Sequence, residues 1–253
     1  MDREKPLVYL VLGTAGSGRR AVIADLIEGS SEAGERTAVM LSEAENESAF
    51  DAKLPEVSRW SWTGEFIVGS LPAGAARVFF ITDGRGNPVD QIEVFKAWLQ
   101  AQNGELARVI CVVDCQLAEK NPPLLAWFDA CVHFADVVLL NHREGVANKW
   151  LSDFQNHYKS QYLPCLFELV KTDRVKNPSL VLEPQARRMS HIFDDDPDWV
   201  FTDAEGEEID EEEETEGDEE VEAKQAEDPY FERLNGGRRV KEIPDVAKFL
   251  PVT

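Results

Sequence analysis

The segment that points most directly to chemistry lies near the N-terminus and is rich in glycine and arginine. It reads Gly13-Thr14-Ala15-Gly16-Ser17-Gly18-Arg19-Arg20. Glycines allow a tight turn whose backbone N–H groups converge, and such a turn at the start of a helix attracts anions. Two guanidinium groups add positive charge and donors that suit phosphate. The segment therefore predicts an anion or phosphate site.

The segment departs from the phosphate-binding pattern GxxxxGK[ST] at its last two positions. In that pattern Lys contacts the β/γ-phosphates and Ser/Thr holds Mg²⁺. Arg19 can still pair with a phosphate, whereas Arg20 cannot ligate Mg²⁺. We expect phosphate binding without Mg²⁺, and the alternative is a glycine turn kept only to pack a helix on a sheet. The predicted binding residues are Gly13, Gly16, Ser17, Gly18, Arg19 and Arg20.

Short apolar runs alternate with helical patterns along the first two thirds of the chain. Continuous apolar runs bounded by turn residues are typical of strands buried on both faces of a parallel sheet. Alternation of such strands with helices predicts an α/β fold with a doubly wound, mostly parallel sheet. The runs cover residues 7–12, 37–41, 77–82, 108–113, 136–140 and 165–170.

The order of these segments resembles the CobW/HypB/UreG group of P-loop GTPases, and CobW-type metallochaperones most closely. Residues 82–88 (TDGRGNP) match the family's Glu-Thr-x-Gly-x-x-x-Pro segment, and residues 135–144 (ADVVLLNHRE) match Ala-Asp-x-x-x-x-Asn-Lys-x-Asp. The resemblance implies a P-loop NTPase domain of the SIMIBI type, with GTP or ATP as candidate ligands. It places Asn141 and Glu144 beside the base. It also makes Asp83 a candidate catalytic residue that accepts a Mg²⁺-bound water, although Asp83-Gly84 is equally a common turn pair.

Several positions depart from the family pattern. Residues 42–45 (SEAE) stand in the place of Asn-Glu-Phe-Gly, and residues 64–68 (GEFIV) in the place of Gly-Cys-x-Cys-Cys. Loss of the three thiols removes the soft ligands of a Zn²⁺ site, so we predict no metal site. His142 replaces Lys, and Glu144 replaces Asp, which weakens the expected preference for guanine. We therefore expect no efficient NTPase activity.

Charge divides the chain into three predicted parts. The chain carries 48 acidic and 26 basic side chains, and residues 194–228 hold 20 of the acids with one lysine. Such a segment cannot bury a core and predicts a disordered acidic linker. Residues 1–193 are the predicted α/β domain, and residues 229–253, which regain apolar side chains, are a predicted docking segment. Without a basic face or a long apolar stretch, we expect neither nucleic-acid nor membrane binding.

Three functional hypotheses remain open. The leading one is a degenerate CobW-like protein that binds nucleotide or phosphate weakly, or without Mg²⁺, and acts through protein contacts. The alternatives are an active GTPase metallochaperone and an interaction protein acting through its acidic linker and C-terminal segment. A basic protein is one candidate partner, and a homodimer is implied by the resemblance. Four dispersed cysteines without a CxxC pair favour a reducing, cytoplasmic location.

Overall fold

Contacts along the chain divide it into two units. The computed structural model describes residues 5–30, 34–194, 199–202, 208–209, 222–225 and 227–251. The first unit comprises Met1–Met189 with Ile243–Thr253, and the second is Ser190–Glu242. The predicted partition at residues 193 and 228 remains a prediction.

An eight-stranded sheet forms the centre of the first unit. Its spatial order is β4-β3-β2-β5-β1-β6-β7-β8, and only the pairing of β3 with β4 is antiparallel. This arrangement confirms the predicted mostly parallel sheet. The strands are β1 (Leu7–Gly13), β2 (Thr37–Ser42), β3 (Val57–Trp62), β4 (Ile67–Val68), β5 (Arg77–Ile81), β6 (Glu105–Asp114), β7 (Val137–Asn141) and β8 (Leu166–Leu169).

The described residues form six α-helices, five between strands of the sheet and one after β8, and some begin at side-chain caps visible in the sequence. Asn87 accepts the Val89 N–H at 2.9 Å ahead of a proline, and Asp114 accepts the Leu117 N–H at 2.9 Å. Both satisfy amide groups that the first turn leaves without partners. No helix in the described part of the chain has the length and apolarity to cross a membrane. The helices are α1 (Arg19–Ser30), α2 (Pro88–Ala101), α3 (Cys115–Lys120), α4 (Leu125–Phe134), α5 (Asn148–Lys159) and α6 (Pro178–Leu182).

Helices cover both faces of the sheet because successive residues of each strand face opposite ways. On one face, Tyr9 and Val11 of β1 join a buried cluster with Leu26 of α1. On the other, Phe80 of β5 contacts Phe95 of α2, with ring centroids 5.0 Å apart. Apolar burial on two faces explains why the strands are continuous apolar runs rather than alternating ones. The doubly wound α/β class is thereby confirmed.

The carboxyl ends of five neighbouring strands meet at one edge of the sheet. In spatial order these strands are β2, β5, β1, β6 and β7. Parallel strands deliver the segments that follow them to the same edge, where open α/β sheets place their ligands. Here they deliver the segments beginning at residues 43, 82, 14, 115 and 142, and these segments include all the predicted site residues except Gly13 and Asn141, which end β1 and β7.

The second unit contains a small antiparallel sheet. Its strands are β9 (Trp199–Thr202), β10 (Glu208–Ile209) and β11 (Glu222–Gln225), with β9 in the middle. They fall within the segment predicted as a disordered acidic linker, most of which lies outside the described residues. In the first unit, the C-terminal Val246 and Leu250 are buried. Docking of residues 229–253 on a partner remains a prediction.

A buried arginine joins the central sheet to the segment around α6. Arg108 of β6 is fully buried. Its guanidinium donates to the backbone carbonyls of Leu180 at 2.8 Å, Val181 at 3.0 Å and Gln185 at 3.1 Å. Buried carbonyls need donors, so this one side chain satisfies three groups that the short helix α6 and its flank cannot satisfy themselves.

Replacing this arginine should destabilise the domain. Arg108→Met keeps the length of the side chain but leaves three carbonyls without donors, so we expect a loss of about 3 kcal/mol in the free energy of unfolding, measured in urea. Arg174→Met is the matched control, because Arg174 is 74% exposed and its ion pairs are long. The control should change stability by less than about 0.5 kcal/mol. Equal effects of the two variants would contradict this role of Arg108.

Candidate phosphate-loop site

The glycine loop between β1 and α1 is held from β7. Gly16 and Gly18 have φ angles of +84° and +85°, a region that side chains with Cβ rarely adopt. A Cβ at Gly18 would overlap the amide nitrogen of Asn141. Asn141 is buried and donates to the Ser17 carbonyl at 3.0 Å. The predicted site residue Asn141 therefore supports the loop from behind.

The segment after β5 closes on the loop from the other side. The Ala15 N–H donates to the Gly84 carbonyl at 2.9 Å. A Cβ at Gly84 would overlap the backbone nitrogen of Ala15, so only glycine fits there. Among the described residues, no acceptor takes the amides of Gly16 or Gly18. The Ser17 N–H donates to the Thr14 carbonyl at 3.1 Å, so the loop commits the amides of Ala15 and Ser17 to the fold and leaves those of Gly16 and Gly18 for a ligand.

The side chain of Arg19, at the Lys position of the pattern, turns into the protein. Only 4% of Arg19 is exposed. Its Nη1 donates to the Thr82 carbonyl at 2.5 Å, and its Nη2 pairs with the Glu45 carboxylate. A buried guanidinium requires such pairing, because an unpaired charge would lose its hydration without compensation.

Arg20 is 9% exposed and is paired as fully as Arg19. Its Nη1 lies 2.8 Å from Asp51 Oδ1, and its Nη2 lies 3.0 Å from Glu45 Oε2. Arg59 extends this arginine–carboxylate network, with its Nη2 3.3 Å from Asp51 Oδ2. Three guanidinium groups against two carboxylates leave one formal positive charge. The network members are Arg19, Arg20, Arg59, Glu45 and Asp51.

Glu45 is the carboxylate on which the two loop arginines converge. Its Oε1 also accepts the Gly84 N–H at 3.2 Å. Burial by itself raises the pKa of Glu45, but the charge of Arg19, the Gly84 amide and the charge of Arg20 outweigh it. The pKa of Glu45 therefore lies below its ordinary value of 4.5. At neutral pH this carboxylate is ionised.

A cavity of about 590 Å³ opens beside the loop. Its charged lining groups come from five different segments of the first unit. Phe50 and Pro251 add apolar surface, and Arg85 Nη2 donates to the Pro251 carbonyl at 3.4 Å. The charged or ionisable side chains that line it are those of Arg19, Arg20, Glu45, Arg85, His142 and Asp173.

The structure brings only some of the predicted site residues to this cavity. Gly16, Gly18, Arg19 and Arg20 line it, whereas Gly13 does not. Gly13 is a buried strand end, where a Cβ would meet the Val112 carbonyl oxygen. Ser17 is fully buried and likewise lies outside the lining.

Glu144 and Asp83 do not reach the cavity. Glu144 is exposed in the turn after β7, where its carbonyl accepts from Gln116. The predicted position beside Asn141 is taken instead by Asp173, whose Oδ1 lies 3.2 Å from Asn141 Nδ2. Asp83 Oδ1 accepts the Arg85 N–H at 3.0 Å, which is the geometry of a turn residue at a strand end.

The residues around the loop do not fit Mg²⁺. Arg20 stands where the pattern needs a hydroxyl ligand, and its guanidinium is held by two carboxylates. The nearest acid of the Walker B type, Asp83, closes its own turn. In the part of the chain that the structure describes, no group of three or more His, Cys, Asp or Glu side chains could hold a metal ion.

His142, which lines the cavity near Gly18, is paired with an aspartate behind it. His142 Nδ1 lies 2.9 Å from Asp114 Oδ2, and His142 has a φ of +49°. The hydrogen bond from Asp114 raises the pKa of His142 above its ordinary value of 6.5, against the effect of burial, and the charges of Asp114 and Asp173 add to the increase. His142 occupies the position of the lysine in the Asn-Lys-x-Asp pattern.

Sequence reasoning missed Glu45 and Asp51 as partners of the loop arginines. They are 26 and 31 residues from the arginine that each pairs with. The available signal was weak: two adjacent arginines at the start of an apolar helix need acidic partners if they are buried, but the sequence does not show that they are. The segment after β2 supplies those acids.

Comparisons with known proteins give similarities of fold. No protein-family model matches the chain, and no curated protein matches it. Among solved structures, the chain is similar to the Zn(II)-bound YjiA GTPase from E. coli, with 15% identity over 79% of this chain and 72% of that chain, at a TM-score of 0.42. It is also similar to the cell division protein FtsY from Thermotoga maritima, with 15% identity, 71% and 68% coverage, and a TM-score of 0.43.

The contact of Gly84 with the loop can be tested by adding one methyl group. The added methyl group of Gly84→Ala would overlap the Ala15 backbone and the Arg19 side chain. We therefore expect a loss of about 2 to 3 kcal/mol in the free energy of unfolding, seen as a lower melting temperature. Gly236→Ala is the control, because a Cβ there meets nothing within 4 Å. If both variants had the melting temperature of the wild type, the close approach of Gly84 to the Ala15 backbone would be contradicted.

The raised pKa of His142 should be measurable by NMR titration of its ring. Asp114→Asn keeps the cap of α3 but removes the charge, so the pKa of His142 should fall towards 6.5. Because the folded-state pKa is raised, the pair stabilises the protein fully below pH 6.5 and loses this contribution as pH rises through the folded-state value. The difference in the free energy of unfolding between the wild type and Asp114→Asn should therefore decrease as the pH rises from 6.5 through the folded-state pKa of His142. A constant gap would contradict the charge interaction.

Proposed function

We propose that this protein binds the phosphate groups of a nucleotide weakly and without Mg²⁺, does not hydrolyse them efficiently, and acts through protein contacts. One observation carries the proposal: both arginines at the catalytic positions of the loop are paired with Glu45 and Asp51. The two positions that contact the transferring phosphoryl group and its metal in the phosphate-loop pattern thus carry arginines that are engaged within the fold.

Support for ligand binding comes from the groups that remain available at the cavity. The amides of Gly16 and Gly18 find no acceptor among the described residues. Arg85 and His142 line the same cavity, and the arginine–carboxylate network adds one net positive charge. The volume of the cavity, about 590 Å³, falls in the range of about 300 to 1,000 Å³ that is usual for small-molecule sites. An anion with an attached ring system suits this lining.

The proposed lack of efficient hydrolysis is supported by two roles that the residues at this site do not fill. Hydrolysis of a phosphoanhydride needs a metal ion that bridges phosphates and a group that orients water. The Mg²⁺ ligand position is Arg20, and Asp83 accepts the Arg85 N–H. An active GTPase metallochaperone would need a different set of ligands from those gathered here.

Support for a base beside β7 comes from Asp173 and His142. Both line the cavity, and Asp173 also accepts from Asn141. A carboxylate at this place can accept from guanine N1 and N2, while the neighbouring imidazole is a donor or an acceptor according to its protonation. We propose GTP or GDP as the first nucleotides to test, with the adenine nucleotides beside them.

The protein contacts are proposed from charge. Residues 194–228 carry a net charge of −19, from 20 acids and one lysine. Such a charge steers a basic partner towards the chain at low ionic strength. We propose a basic protein as the partner and the cytoplasm as the compartment, with a homodimer as the alternative assembly. Salt-sensitive capture by the full chain, lost when residues 194–228 are replaced by a neutral linker, is the test.

Nucleotide binding can be tested with an isosteric pair at Gly16. A Cβ at Gly16 meets nothing within 4 Å, and Asp and Asn adopt positive φ more readily than most residues with a Cβ. Gly16→Asp places a negative charge at the loop and should weaken binding of fluorescent GTP and ATP analogues by about tenfold or more, whereas Gly16→Asn should bind more nearly like the wild type. Adding Mg²⁺ should leave the wild-type affinity unchanged.

Two results would contradict the proposal. Tight binding that requires Mg²⁺, with turnover of GTP, would favour the active GTPase. Absence of binding at millimolar nucleotide in both the wild type and Gly16→Asn would leave the loop as a scaffold and favour the pure interaction protein.

A further inference from the structure

The carboxylate of Glu45 is held as a phosphoryl group would be. Its Oε1 accepts from Arg19 Nη2 and from the Gly84 N–H at 3.2 Å, and its Oε2 accepts from Arg20 Nη2 at 3.0 Å. Two charged donors and one backbone amide around an anion are the elements of an oxyanion site. The occupant here belongs to the chain itself.

The loop pattern indicates which phosphate this carboxylate replaces. In a phosphate loop the backbone amides cradle the α/β-phosphates, and the side chain at the Lys position reaches the β/γ-phosphates. In this chain the side chain at that position is Arg19, and it is paired with Glu45, while the amides of Gly16 and Gly18 remain available. The terminal position is filled and the inner positions are open.

We propose that Glu45 is a built-in substitute for the terminal phosphoryl group, so that the site takes nucleoside diphosphates and excludes triphosphates. This inference rests on the proposed function, because it specifies the ligand of the same loop. With Glu45 in place, a third phosphate meets a carboxylate instead of a guanidinium. The like charges of Glu45 and the third phosphate repel.

A triphosphate cannot easily displace Glu45, because the segment carrying it is fixed. Arg59 Nη1 donates to the carbonyls of Ser42 at 3.0 Å and of Glu45 at 3.2 Å. The same arginine also pairs with Asp51. A tethered and oriented carboxylate competes as an intramolecular ligand, at an effective concentration that a free nucleotide in solution does not reach.

Inorganic polyphosphates test the inference without any contribution from the base. For the wild type, calorimetry should give an affinity for pyrophosphate at least equal to that for tripolyphosphate. In Glu45→Ala the freed arginines should favour the longer ion, and the ratio of tripolyphosphate to pyrophosphate affinity should rise about tenfold. Glu43→Ala, which removes an exposed acid two residues earlier, should leave the ratio unchanged. A ratio in Glu45→Ala equal to that of wild type would overturn the inference.

Thermal stability provides a second readout if Glu45→Ala folds poorly. Inorganic phosphate should refill the vacated position and raise the melting temperature of Glu45→Ala, or recover its folding, well beyond chloride at equal ionic strength. Glu45→Gln keeps an acceptor oxygen and the side-chain shape, so phosphate should stabilise it much less. If phosphate acted on Glu45→Ala no better than chloride, the carboxylate would not be standing in for a phosphate.

The two proposals fail in different ways. If the wild type bound neither pyrophosphate nor nucleotide while phosphate stabilised Glu45→Ala, the proposed nucleotide binding would be wrong and the role of Glu45 would stand. If the wild type bound tripolyphosphate or GTP more tightly than pyrophosphate or GDP, nucleotide binding would stand and the role of Glu45 would be overturned.

Discussion

The ion pair between Arg19 and Glu45 is the constraint on which the site depends. Transferring a guanidinium from water to a position that is 4% exposed costs several kcal/mol unless a carboxylate and further acceptors meet it. Arg19 begins α1, so its partner must arrive from another strand end. That need fixes the segment after β2 against the helix and brings the Gly84 amide to the same carboxylate. The carboxylate of Glu45 thus joins the glycine loop and the start of α1 to the segments that follow β2 and β5.

Two residues of the segment that carries the sequence resemblance have structural roles in the fold. Asp136, from the Ala-Asp pair ahead of β7, is fully buried. It accepts the Val109 N–H at 2.7 Å and the Arg187 N–H at 2.6 Å, so it joins β6 to the segment after α6. Asn141 likewise supports the loop from behind. Both positions keep roles in holding strands and loops together, and neither role requires a nucleotide.

The architecture could be predicted because its causes are local. Runs such as residues 77–82 must be buried on both faces, and that alone indicates a parallel sheet with helices on both sides. The site could be predicted only in part, because side-chain direction depends on partners far along the chain. Arg20 was expected at an anion site, but its neighbours are Glu45 and Asp51. Glu144 and Asp173 illustrate the same limit, since backbone geometry after each strand decided which carboxylate faces the cavity.

The contact between Arg85 and Pro251 places the end of the described chain at the rim of the loop cavity. A group attached close to Pro251 would start beside the opening of this cavity. Purification tags, fluorescent fusions and surface-attachment handles at the C-terminus would therefore crowd the entrance and add their own charges to it. Residue 5 begins the described part of the chain just ahead of β1, and β1 enters the sheet from the opposite edge. Reagents for binding work are best attached at that end.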